Sequence, residues 1–170
     1  LKKFGYIFCL IITLIFLNSC KNPFAPALLK NAADDFQLGD QRTVEGVFKN
    51  FSYAYKFKDT VLYGKLLHND FTFNYRNYDK NIDPTWTRSE DMIATARLFA
   101  AAQDLNLVWN EILYLQGDSL FVDVSRSFSL TITFAPNDIV NVFGKAIFYL
   151  KREKPTDEWK IILWRDESNF

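Results

Sequence analysis

Cys20 is the residue of this chain whose surroundings most clearly prepare it for a reaction. Its thiol follows Leu17, Asn18 and Ser19 at the end of an apolar run from Phe4 to Leu17, which is broken only by Gly5 and Thr13 and preceded by Lys2 and Lys3. A positive pair, an apolar stretch and a small residue before a cut make an export signal, and the run is shorter than the roughly 20 apolar residues that span a bilayer. The other thiol, Cys9, lies inside that run, and His68 is the only histidine. With one histidine and no free mature thiol, a His-rich metal site and a cysteine nucleophile are excluded. No spacing suits a carboxylate-only metal site, and neither a phosphate-binding glycine loop nor a serine nucleophile elbow occurs. No metal, cofactor or catalytic set is therefore expected.

The remaining chemistry lies in ionisable residues that interrupt apolar strand faces: Glu111, Arg126 and Arg165. A charge on a core face needs a partner. A two-residue hairpin at Gly117-Asp118 places residue 116 opposite 119, which sets Arg126 across from Trp109 and diagonal to Glu111. An ion pair covered by an indole is the expected result. Arg165 is expected near Gly144 and Ala146, whose small side chains leave room for a cavity. Tyr55, Tyr75, Trp86, Trp109, Glu111, Asp123, Arg126, Trp164 and Arg165 form the candidate pocket, while His68 reads as a helix cap. An enzyme would use Glu111 or Asp123 as base and Tyr55 or Tyr75 as donor.

Leu17-Asn18-Ser19-Cys20 resembles the lipobox of bacterial lipoproteins. That resemblance implies a diacylated Cys20, cleavage after Ser19, and a mature chain tethered to a membrane of the cell envelope through acyl chains. Residues 1–19 are then the signal peptide, 20–40 a proline-containing tether and 41–170 the folded domain. Removing Lys2 and Lys3 leaves 18 basic against 20 acidic residues, a charge of −2. Nucleic acid is not an expected partner, because no basic cluster appears. The acylated Cys20 leaves no disulfide, so packing alone must hold the fold together, and the chain's 17 Phe, 8 Tyr and 4 Trp, of which only Phe4, Tyr6, Phe8 and Phe16 leave with the signal, are a heavy aromatic load for it.

Several elements must position these residues. Val44, Val47, Phe48, Phe51, Ala54 and Tyr55 recur at helical spacing, and a second short helix runs over 60–67. His68-Asn69-Asp70 ends it, and Phe71, Phe73 and Tyr75 alternate as a strand. Residues 76–86 read as a polar loop. Thr87-Arg88-Ser89-Glu90 is a capping box that opens a third helix. Four strands follow: Leu105, Leu107, Trp109, Leu113 and Leu115 share a face, as do Leu120 to Phe134, then Val140 to Leu150, then Trp159 to Asp166 after a turn at Lys154-Pro155-Thr156-Asp157. The outer face of the second of these strands is polar, with Ser125, Ser127, Ser129, Thr131 and Thr133.

The fold class is α+β, three helices with one early strand inserted and then a four-strand antiparallel meander. This order is similar to the nuclear-transport-factor-2-like, or ketosteroid-isomerase-like, superfamily. Phe51-x-x-Ala54-Tyr55, Leu66-Leu67-His68-x-Asp70-Phe71-x-Phe73, Trp86-Thr87-Arg88 and Trp159-Lys160-Ile161-x-x-Trp164-Arg165-Asp166 carry the likeness. The resemblance implies that the mostly antiparallel sheet curves around the three N-terminal helices into a cone, and often dimerisation through the sheet, but it does not settle activity. Three functions follow as expectations: a noncatalytic module binding a small amphipathic ligand or a protein, an acid–base enzyme acting on an apolar carbonyl compound, and a dimeric envelope subunit.

Overall fold

The computed structural model describes residues 37–76 and 82–168. The signal, Cys20 and most of the expected tether lie outside them. Thr43 starts the first helix by accepting a hydrogen bond from the Gly46 N–H at 3.0 Å. This helix, α1 (Val44–Phe57), buries Val47, Phe48, Phe51, Ala54 and Tyr55, the stripe that the spacing predicts. It stops at Lys58, whose left-handed φ of 55° turns the chain into α2 (Thr60–Leu66). Asp59 caps α2, accepting from the N–H groups of Val61 and Leu62 at 2.9 Å each.

Strand β1 (Leu67–Tyr75) begins directly after α2, so His68-Asn69-Asp70 is strand and not a helix end. The His68 ring nitrogen accepts from the Asp70 N–H at 3.1 Å instead of capping a helix. Part of the expected polar loop is a short strand, β2 (Thr85–Thr87), paired antiparallel with β1. Its alternation spans too few residues to be read as periodic. The capping box at Thr87 and Glu90 forms as expected and opens α3 (Arg88–Ala101).

Four long strands complete the sheet: β3 (Asp104–Gly117), β4 (Phe121–Ala135), β5 (Asp138–Lys151) and β6 (Lys160–Ser168). The spatial order is β2-β1-β6-β5-β4-β3, with β1 and β6 parallel and all other neighbours antiparallel. This curved, unclosed sheet with three helices against its concave side is the expected α+β cone. No helix among the described residues is long and apolar enough to cross a membrane.

The β3–β4 turn differs from the expected hairpin. Asp118 is its anchor: its carboxylate accepts from the N–H groups of Leu120 and Phe121, and its own N–H donates to the Phe121 carbonyl. This wider turn places Gly117 opposite Val122, and register shifts between Trp109, Ile112 and Tyr114 change the pairing again. Arg126 therefore faces Ile112, and Trp109 faces Phe128. Beyond Trp109 the edge strand has no buried residue, so Leu113 and Leu115 stand 55 % and 53 % exposed, contrary to their expected place in the core. Bulges break the alternation on which that expectation rested.

Aromatic contacts bind the helices to the sheet. Phe48 stacks on Phe148 with centroids 5.1 Å apart, and Phe51 meets Trp109 and Trp164 edge-on at 5.6 and 5.3 Å. Each such pair contributes about 0.5–1.5 kcal/mol beyond the burial of its area.

Candidate functional site

Strand β6 decides what faces into the cone. Strict alternation from Trp159 and Ile161 would turn Leu163 and Arg165 inward. Instead the pairing of β5 with β6 slips between Tyr149 and Leu150, leaving Ile162 as an extra residue. Such a bulge reverses the phase beyond it. Trp164 then pairs with the buried Phe148, and Asp166 pairs with the buried Ala146. Arg165 points to the outer face, where its guanidinium lies 3.2 Å from Glu167. The small residues Gly144 and Ala146 do mark the open space, but Ser168 and Asp166 stand opposite them.

A cavity of about 320 Å³ lies between α1, α3 and the concave sheet. Its wall includes Phe51 and Tyr55 of α1, Leu98 of α3, Phe73 of β1, Trp109 of β3 and Trp164 of β6, with aliphatic side chains of β4 and β5. Asp166 and Ser168 form its polar spot. The Ser168 hydroxyl donates to Asp166 Oδ2 at 2.9 Å. Asp166 Oδ1 and the indole Nε1 atoms of Trp109 and Trp164 are buried without a hydrogen-bond partner among the described residues. An unmet buried polar atom costs about 1–3 kcal/mol, so these three are the atoms with most to gain from a visiting molecule.

Burial pushes the Asp166 carboxyl above its usual range; the Ser168 hydroxyl opposes this and the Glu167 charge adds to it. The Tyr55 phenol is also raised, first by burial and then by the negative charges of Asp91 and Asp166. Both groups, in the wall of one cavity, are thus shifted toward their protonated forms, chiefly by burial.

A second recess adjoins the cavity and shares Phe73, Asp166 and Ser168 with it, adding Tyr75, Arg76 and Trp86. Of the expected pocket residues, Tyr55, Trp109 and Trp164 line the main cavity, while Tyr75 and Trp86 line this recess. Glu111, Asp123, Arg126 and Arg165 line neither. Glu111 is exposed at the β3 bulge. Asp123 pairs with Gln116 and Tyr149, between the inward-facing Val122 and Val124, and so lies on the outer face.

Arg126 does face the helices, but its partner is Glu45 of α1 at 2.7 Å, not Glu111. Its guanidinium lies 5.0 Å from the Phe48 ring, so the aromatic cover is Phe48 and not Trp109. Asp166 and Ser168 were missed because their polarity was read on a strictly alternating strand. The signal is the odd, three-residue step from Ile161 to Trp164, which would put two large apolar residues on opposite faces of an unbroken strand. Among the described residues no three His, Cys, Asp or Glu side chains gather as metal ligands would.

No family model matches the chain, and no curated protein matches it. Solved structures do. A protein proposed to be a scytalone dehydratase, from Novosphingobium aromaticivorans, superposes with a TM-score of 0.65 at 11 % identity, covering 82 % of this chain and 87 % of that one. A proposed dehydratase of the NTF2-like family from Streptomyces avermitilis gives 0.60 at 14 % identity, covering 72 % and 91 %. An NTF2-like protein from Cytophaga hutchinsonii gives 0.59 at 17 % identity, covering 74 % and 94 %. At such identities the likeness is one of fold. The chain has the nuclear-transport-factor-2-like fold, on which many unrelated activities are built.

Proposed function

We propose that this chain is a lipid-anchored protein of the bacterial envelope whose cone binds a small, largely apolar molecule without transforming it. The carrying observation is the cavity itself: about 320 Å³, walled by aromatic and aliphatic side chains, with one polar spot at Asp166 and Ser168. Binding sites for small molecules have this character, a mostly apolar wall with few convergent polar groups. The anchoring part of the reading draws on the Leu17-Asn18-Ser19-Cys20 pattern.

Calorimetry with 4-phenylbutan-1-ol tests the binding. The wild-type chain should take up one molecule, and Leu130→Trp, which pushes an indole into the cavity, should abolish uptake while the chain stays folded. Uptake unaffected by Leu130→Trp would place the molecule elsewhere and sink the reading.

An acid–base enzyme acting on an apolar carbonyl compound is the second reading. It is favoured by the raised carboxyl of Asp166 in the same cavity as the protonated Tyr55. In it Asp166 takes the place of Glu111 or Asp123 as base, and Tyr55 remains the donor. Turnover of a carbonyl compound that vanishes in Asp166→Asn would replace the first reading with this one.

A further inference from the structure

We infer that the cavity takes a monocationic amine, an ammonium group carried on an apolar body, with Asp166 as its counter-ion. The inference rests on the binding reading above and names the class of ligand. Among the described residues Asp166 is the only charged side chain in the wall of this cavity, and on its other side it borders a polar groove that also holds Arg76 and Arg165. Its Oδ1 has no hydrogen-bond partner among the described residues, while Oδ2 is held by the Ser168 hydroxyl at 2.9 Å. The cations nearest to it along the chain and across the sheet are committed to other acids. Arg165 and Lys145 lie 3.2 and 2.9 Å from Glu167, and Arg76, at the rim of the adjoining recess, lies 2.9 Å from Asp83. The residue is half-buried, but its Oδ1 is shut off from water, and a charge on such an atom is costly unless a ligand brings a cation to it.

The walls point the same way. Phe51, Tyr55, Phe73, Trp109 and Trp164 present rings around the cavity. Ring faces attract a cation, and more strongly where water is excluded. An alcohol can donate to Asp166 Oδ1, but it leaves the charge uncompensated and gains little from the rings. A carboxylate ligand would meet the acid with no lining cation to offset the repulsion.

Three molecules of one shape decide the matter: 4-phenylbutylamine, 4-phenylbutan-1-ol and 4-phenylbutyrate, titrated calorimetrically into the full chain near pH 7.5. The amine should bind about tenfold or more tighter than the alcohol, the increment of a charge-assisted hydrogen bond, and the carboxylate weakest of all. Asp166→Asn should erase the amine's advantage, bringing amine and alcohol to within about threefold of each other. Circular dichroism checks that the variant is folded, and if it is not, the wild-type ranking decides alone. An alcohol that matches or beats the amine, or an amine advantage that survives Asp166→Asn, overturns the ligand class while leaving the cavity reading intact. Failure of all three to bind overturns both.

Discussion

Asp91 is the buried acid that the cavity does not use. It is 3 % exposed and accepts the Tyr63 hydroxyl at 2.7 Å, and burial pushes its carboxyl up to about 6 from an ordinary 3.8. Because the folded value is raised, the fold favours the protonated form. The associated stability is fully present below about pH 4 and is lost as pH rises through about 6, a swing of about 3 kcal/mol. Asp91→Asn keeps an acceptor for Tyr63 and removes the titration. Urea unfolding should therefore show the variant gaining on the wild type by about 2–3 kcal/mol between pH 4 and pH 8, and parallel curves would disprove the assignment. Asp166 carries the same sign of shift, but its unmet oxygen faces a cavity, which is why it is read as a binding group and Asp91 as a structural one. Side-chain type alone did not separate the two, since both are aspartates next to a glutamate in the sequence.

Helices α1 and α3 depend on their first turns. Gly46 is buried where α1 starts, and a methyl group there would press into the Asp40 carbonyl and lie 2.9 Å from Thr43 Oγ1. Gly46→Ala should cost about 1–3 kcal/mol. At roughly 2–4 °C per kcal/mol for a chain of this size, a melting curve will read it easily, and an unchanged midpoint would refute the close approach. Thr87→Ala removes both the acceptor for the Glu90 N–H and the hydroxyl that donates to the Glu90 carboxylate. About 1 kcal/mol of stability should go with it, again read by melting. The start of α3 was legible because a capping box is a local event, made by residues three positions apart. The β6 bulge and the β3–β4 register were not, because they are set by which strand lies alongside. A strand's face is decided by its neighbour as much as by its own alternation.

At the scale of the whole molecule the question is where the domain stands and what its cone holds. Cys20→Ser should abolish incorporation of a palmitate analogue in a bacterial host and move the chain from the membrane to the soluble fraction. Labelling that persists in the variant would end the lipoprotein proposal. The outer sheet carries Phe143 and Tyr149 at 52 % and 37 % exposed beside the serine and threonine row of β4, a more mixed surface than that row alone suggested. Among the described residues the sequence by itself determined the three helices and five of the six strands, the capping box of α3 and the aromatic core, because periodicity and capping act over a few residues. Only the tertiary structure decided that Asp166 faces the cone while Arg165 leaves it, and that Arg126 meets Glu45. One extra residue at Ile162 and two register shifts in β3 reverse which side chains point inward, and the energy that selects them comes from packing against β5, β4 and α1.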